Sequence, residues 1–234
     1  MKKRQRLGQH FLTSGTVAKS IVLAAQITKN DTVLEIGTGH GILVPLLCKK
    51  AKKVISIEAD KELFEASLIK FAKIPNLTLK HGDGFKTEDN FSVFVSNLPY
   101  SKSRKAIEWL IQKKFSRAMV MVQKEFAEKL FHKGKDRRAI SVLVNYAADI
   151  EKIMDVKKTN FVPSPKVDST VLKFTSKKKV SKDLIKAVNK LFSYRRKTIQ
   201  NILKQVGKHI ESNKRIDELS GDEIIKIAKQ VITK

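Results

Sequence analysis

The sequence predicts an α/β protein: an open sheet wrapped by helices, followed by a small helical lobe. Three observations carry this. Residues 32–50 run strand, glycine turn, helix. Further short apolar runs alternate with helical patterns and close on polar residues. From Ser176 the texture changes to helical patterns alone. The expected organisation is a main α/β domain over 1–175 and a small basic helical domain over 176–234, joined through Lys177-Lys178-Lys179.

Residues 1–12 begin as a basic arm and end on Phe11 and Leu12, two apolar anchors. Thr13 or Ser14 is placed to cap a helix to about Ile27. Thr32-Val33-Leu34-Glu35-Ile36-Gly37 reads as a buried strand. It runs into Gly37-Thr38-Gly39-His40-Gly41 and a helix from Ile42 to Lys50. Glycines at Gly37 and Gly39 permit a tight turn and let a ligand approach the backbone. The spacing is G-x-G-x-G, not the G-x-G-x-x-G that cradles a dinucleotide pyrophosphate. It suits a smaller group, such as the amino-acid part of S-adenosylmethionine. The next strand, Lys53 to Ile57, ends at Glu58. An acid about 20 residues past the turn can take two ribose hydroxyls, or it can be a solvated strand-end carboxylate. A helix over 60–73 leads to the strand Leu77–Lys80. Asp83 follows, either as an acceptor for a cofactor amine or as a turn residue between Gly82 and Gly84.

The apolar run Phe91–Ser96 delivers Asn97-Leu98-Pro99-Tyr100 to the carboxyl end of a strand, where open α/β sheets bind ligands. Asn97 offers an amide oxygen. Pro99 restricts Leu98 to extended conformations, which directs the Leu98 carbonyl. Tyr100 offers a flat face for a base. Two fixed acceptors beside a stacking platform suit adenine N6. Its lone pair is drawn into the ring, and acceptors on its hydrogens favour a pyramidal, nucleophilic nitrogen. The alternative is a plain turn after a strand. Beyond it come a helix over 102–113 with Trp109 in core or rim, a strand over 117–122 and a helix over 123–131. The charged loop 133–138 meets phosphate or only water. Ala139–Ala148 and Ser169–Phe174 read as strands forming an antiparallel edge. Between them, a two-proline loop presents Phe161 as a second aromatic plate opposite Tyr100. The tail carries helices over 182–192, 195–208 and 221–232.

Among 234 residues, 48 Lys+Arg stand against 23 Asp+Glu, a formal net charge of +25. Such a surface attracts polyanions, above all nucleic acid. The single cysteine, Cys48, lies on an apolar helix face, which argues against a disulfide framework or a thiolate metal site. No apolar run is long enough to span a bilayer, and no signal-peptide core follows the basic start. A cytoplasmic monomer without a metal is the expectation.

Eight ordered segments together resemble the small-subunit ribosomal RNA adenine N6-dimethyltransferases, whose loss gives kasugamycin resistance. They are Gly8-Gln9-His10-Phe11-Leu12, Leu34 to Gly39, Ile57-Glu58, Gly82-Asp83, and Asn97 to Tyr100 with Ser103. Gln123-Lys124-Glu125, the Phe161–Ser169 loop and Arg195-Arg196-Lys197-Thr198 complete the set. The resemblance implies a Rossmann-like, S-adenosylmethionine-dependent methyltransferase sheet. It implies that His10, Leu12, Gly37, Gly39, Glu58, Asp83 and Asn97 contact the cofactor. Asn97, Leu98, Pro99 and Tyr100 would hold the target base, with Phe161 packing against it. The implied partner is small-subunit rRNA within a pre-30S particle, dimethylated at two adjacent adenosines near its 3′ end. Position 10 is often Asn in that family and is His here; the residue after Gly37 is often Pro and is Thr38 here. A large-subunit rRNA adenine methyltransferase of the macrolide-resistance type shares this pocket. An assembly factor that chiefly binds rRNA is a rival from another class. An NAD-linked dehydrogenase is disfavoured by glycine spacing and charge.

Overall fold

The computed structural model describes residues 9–205, 207, 209 and 211–232. The start of the basic arm, Gly8 included, lies outside the described residues, as does Lys208 at the expected end of a helix.

Seven strands form one sheet. They are β2 (Thr32–Ile36), β3 (Lys53–Glu58), β4 (Leu77–His81), β5 (Val93–Ser96), β6 (Arg117–Gln123), β7 (Ala148–Val156) and β9 (Ser169–Ser176). Their order across the sheet is β4-β3-β2-β5-β6-β9-β7. The strands β4 to β6 run parallel, and β9 is antiparallel to β6. Parallel strands need crossovers, and helices supply them. α1 (Gly15–Ala24) precedes β2; α2 (Val44–Lys50), α3 (Lys61–Lys70) and α4 (Ser103–Leu110) make the crossovers after β2, β3 and β5, and the 3-10 turn Gly84–Lys86 lies between β4 and β5. Ser14 caps α1 by accepting from Val17 N, and Asp60 caps α3 by accepting from Glu62 N and Leu63 N. Val33, Val54, Val93 and Val95 share one buried core with Ile21, Leu47 and Phe71. The chain builds outward from β2 through β3 to β4, then returns to β2's other side with β5. The switch point therefore lies at the carboxyl ends of β2 and β5, where a crevice opens.

A separate two-strand ladder joins β1 (Phe11–Leu12) to β8 (Phe161–Val162), pairing Phe11 with Val162 and Leu12 with Phe161. Thr13 N extends it, donating to Asn160 O at 2.9 Å. The two apolar residues at 11 and 12 are thus anchored, through backbone pairing as well as packing.

The chain divides into two compact units. The first comprises described residues to 106, with 114–124 and 150–175; the second comprises 107–113, 125–149 and 176 onward. The second unit thus recruits chain from well before 176. Its core mixes Ile111, Leu143 and Ala147 with Val188, Leu191, Ile202 and Ile224. The helices there are α5 (Lys124–Phe131, from its second residue), α6 (Ala139–Ala147), α7 (Lys182–Ser193), α8 (Ile199–Lys204) and α9 (Gly221–Ile232). A reciprocal cap starts α9: Glu223 N donates to Ser220 Oγ, and Ser220 N donates to Glu223 Oε2.

Two elements depart from expectation. The helix expected from Arg195 starts at Ile199, where the Thr198 side chain caps it by accepting from Asn201 N. Ala139–Ala147 is a helix, not a strand. Six consecutive residues from Ala139 to Val144 are buried, and a run buried on every side has no period to distinguish helix from strand. The edge of the sheet is instead β7, beside β9. The run Asp149-Ile150-Glu151-Lys152 hid β7 behind charge, a feature of edge strands.

Candidate active site

The crevice at the switch point is a cavity of about 1120 Å³ formed within the first unit. Its floor is the glycine turn after β2. Gly37, at φ +88°, brings the turn against the Leu98 side chain; a Cβ there would lie 3.5 Å from Leu98 Cδ2. Gly39, at φ +56°, lies beneath the Phe11 ring, which leaves 3.2 Å to an added Cβ. Phe11 in turn packs on His40, ring centroids 4.2 Å apart. The β1 arm therefore roofs the turn.

Glu58 ends β3 with 5% exposure. Its Oε2 accepts from Gly39 N at 2.8 Å and its Oε1 from Asp60 N at 2.9 Å. Each oxygen keeps a further lone pair, and the residue lines the cavity. Asp83 also lines it. Burial pushes the Asp83 carboxyl up, but the Phe85 N–H and the Lys105 ammonium outweigh this and hold it below the usual range. Behind the turn lies Glu35, 1% exposed. Burial pushes its carboxyl up to about 8; the Ser56 hydrogen bond opposes this and the Glu58 charge adds to it. Ser56 Oγ donates to Glu35 Oε2 at 2.5 Å and lies 2.6 Å from Thr38 Oγ1. With its one proton directed at Glu35, Ser56 receives that of Thr38. The chain of hydroxyls ties the glycine turn to β2 and β3.

The structure gathers nearly every site residue expected from sequence. His10, Leu12, Gly37, Gly39, Glu58, Asp83, Asn97, Leu98 and Pro99 all line the cavity. His10 Nδ1 lies 2.8 Å from Pro163 O. A carbonyl only accepts, so Nδ1 carries a proton and donates it. Tyr100 stands beside the cavity, its ring 5.6 Å from that of His10 and tilted 30°. Phe161 is the exception. It is 2% exposed and belongs to the core with Leu12 and Val22. Its strand pairing turns the ring inward, so it presents no free plate opposite Tyr100. Sequence reasoning assigned no role to Gln9, Glu35, Lys102 or Lys105, which also line the cavity. An acid inside the apolar run 33–36 was the available signal for Glu35.

The observed residues fit a nucleoside cofactor that bears an amino-acid tail. A strand-end carboxylate is oriented by two backbone N–H groups, glycines open the turn, and Gln9 Oε1 is buried without a partner among the described residues. A family model described as ribosomal RNA adenine dimethylase matches residues 1–232. The chain belongs to that family. Among rRNA adenine dimethylase relatives, it resembles a ribosomal RNA small subunit methyltransferase A of Thermotoga petrophila. The two are 37% identical over 235 residues, covering 96% of this chain and 90% of that one. A protein of the same description from Clostridium acetobutylicum is 34% identical, covering 93% and 85%. A solved dimethyladenosine transferase from Plasmodium falciparum superposes with TM-score 0.80 and 27% identity over 93% of this chain and 96% of that one. The 23S rRNA methyltransferase ErmE shares the fold, at TM-score 0.72 and 21% identity over 95% and 100%. The sheet is thus the Rossmann-like sheet of a methyltransferase, and this rRNA adenine dimethylase family member is an enzyme. Among the described residues no helix can span a membrane.

Proposed function

We propose that the enzyme dimethylates N6 of two adjacent adenosines near the 3′ end of small-subunit rRNA, using S-adenosylmethionine during small-subunit assembly. The observation that carries this is the placement of Asn97-Leu98-Pro99 on the wall of the cavity that Glu58 and the glycine turn enclose. The cofactor, when bound, supplies an electrophilic methyl group on a sulfonium. Glu58 accepts from the ribose hydroxyls, and Asp83 accepts from the adenine amine. Gln9 and His10 close the arm side. Asn97 Oδ1 and the Leu98 carbonyl accept hydrogens from the target amine and direct its lone pair. Holding the reactants in line is the main contribution of these residues. Tyr100 stacks on the unstacked target base, which returns about 1–3 kcal/mol of the cost of extruding it.

The helical unit is proposed to hold RNA by its backbone. Arg196 and Lys197 are exposed, and Lys197, Lys204, Asn201 and Gln205 line a shallow depression. The setting would be a pre-30S particle in the cytoplasm, met by a monomer. The test is methylation in vitro of small and large subunits, followed by mass spectrometry of rRNA fragments. Dimethyladenosine at the 3′ end of small-subunit rRNA is expected. Modification of large-subunit rRNA alone would overturn the assignment in favour of the macrolide-resistance activity. Particle binding without methylation would favour an assembly factor.

A further inference from the structure

The loop Phe161–Ser169 ends on a serine for which the cofactor pocket has no use. Ser169 opens β9, opposite Gln123 of β6, and is 0% exposed. Its Oγ lies 2.6 Å from the phenol oxygen of Tyr100, across 69 positions of sequence. Tyr100 is itself only partly buried and begins a single 3-10 turn after Pro99. A ring attached at Cβ alone would swing about χ1 and χ2. Tyr100 is fastened at its far end as well, and the His10 ring flanks it.

We infer that Ser169 is a positioning residue: its buried hydroxyl fixes the plane of the Tyr100 ring on which the target adenine stacks. The inference rests on the proposed base-methylating function. The anchor is well chosen for rigidity. Ser169 sits on a strand paired with β6 over seven residues, from Arg117–Thr175 to Gln123–Ser169. A plate pinned to the sheet keeps its orientation when the base arrives, so little ordering remains to oppose stacking. Burial pushes the phenol's pKa up, with the Ser169 bond opposing and the Asp168 charge adding. The phenol therefore keeps its proton at neutral pH, and the bond persists through the working range.

The test compares wild type, Ser169→Ala, Tyr100→Phe and the double variant on RNA carrying adenine or 2-aminopurine at the target position. Phenylalanine keeps the stacking face, so any loss in Tyr100→Phe belongs to the hydroxyl. Each single change should lower kcat about tenfold, the worth of one well-placed hydrogen bond. Cofactor Kd by calorimetry and Tm should hold. The double variant should be no slower than the slower single, because both changes delete one bond. Quenching of bound 2-aminopurine should weaken in all three. Wild-type kcat and quenching in Ser169→Ala, or losses that multiply in the double variant, would overturn the inference. Should Ser169→Ala not fold, Tyr100→Phe decides alone by the same two readouts. A wild type inactive on rRNA overturns the functional reading, and the inference with it.

Discussion

The amide of Gly39 donates to Oε2 of Glu58 at 2.8 Å, so the glycine turn and the tip of β3 are one unit. The bond crosses from the β2 side of the crevice to the β3 side. It orients a carboxylate whose other oxygen is held by Asp60 N. A carboxylate held by two backbone donors is a preset acceptor for a diol.

Glu58→Ala removes that acceptor and leaves the Gly39 amide without its partner. Two charge-assisted hydrogen bonds lost to a ligand are worth roughly a hundredfold or more in affinity. Calorimetric Kd for S-adenosylmethionine should rise by that factor. Glu58→Gln should fall between, since one end of the amide turns a donor toward a backbone N–H. Wild-type affinity in Glu58→Ala would remove the ribose role.

Glu35 makes stability depend on pH. A glutamate carboxyl ordinarily titrates at 4.5, and burial raises this one to about 8 in the folded chain. Between these values the unfolded chain releases a proton that the folded chain keeps. Folded-state stability therefore falls as pH rises from 4.5 to about 8 and levels off above. The slope approaches about 1.4 kcal/mol per pH unit inside that window. Glu35→Gln keeps an acceptor for Ser56 and abolishes the titration. Denaturant midpoints of the two proteins should diverge in favour of the variant as pH rises through the window. Parallel pH profiles would show that Glu35 is ionised in the fold.

Much of this site was legible because its signals are local. Gly37 to Gly41, Glu58 and Asn97 to Tyr100 follow apolar strands, and topology then brings strand ends together. What was not legible is non-local or lacks a period. The Tyr100–Ser169 bond spans 69 positions and has no local pattern. Residues 139–144 are buried throughout, so their period was hidden. Phe161 looked available because its loop has two prolines, yet pairing with Leu12 turned it into the core. Glu35 looked like one polar letter in an apolar run, and only Ser56 and Thr38 show what it binds.

The third glycine of the turn has a steric requirement. Gly41 sits at φ +72°, and a Cβ there would lie 2.3 Å from the Phe71 ring. Phe71 is 6% exposed in the core and cannot swing aside. Gly41→Ala therefore combines backbone strain with overpacking, costing about 2–4 kcal/mol. Gly15, first in α1, has open space around it, with nothing within 4 Å of where a Cβ would stand. Gly15→Ala should be neutral, or stabilising by about 0.4–1 kcal/mol. Urea midpoints for the pair test this, and equal midpoints would refute it.

The charge of +25 separates the two ligands by their response to salt. RNA binding that releases counterions weakens with a log–log slope of about −0.7 to −0.9 per phosphate contacted. A footprint of 6–10 phosphates would lose roughly 10³–10⁵ in affinity between 50 and 200 mM salt. The S-adenosylmethionine cavity mixes Glu58 and Asp83 with Lys102 and Lys105, and its ligand displaces no such ion atmosphere. Cofactor affinity should change by less than about threefold over the same range. Charge reversal of Arg196 and Lys197, both exposed on the helical unit, should flatten the RNA slope by about 1.4–1.8 and leave cofactor affinity alone. Binding titrations at four salt concentrations measure both slopes. An unchanged RNA slope in the reversed variant would place the phosphate contacts elsewhere on the basic surface.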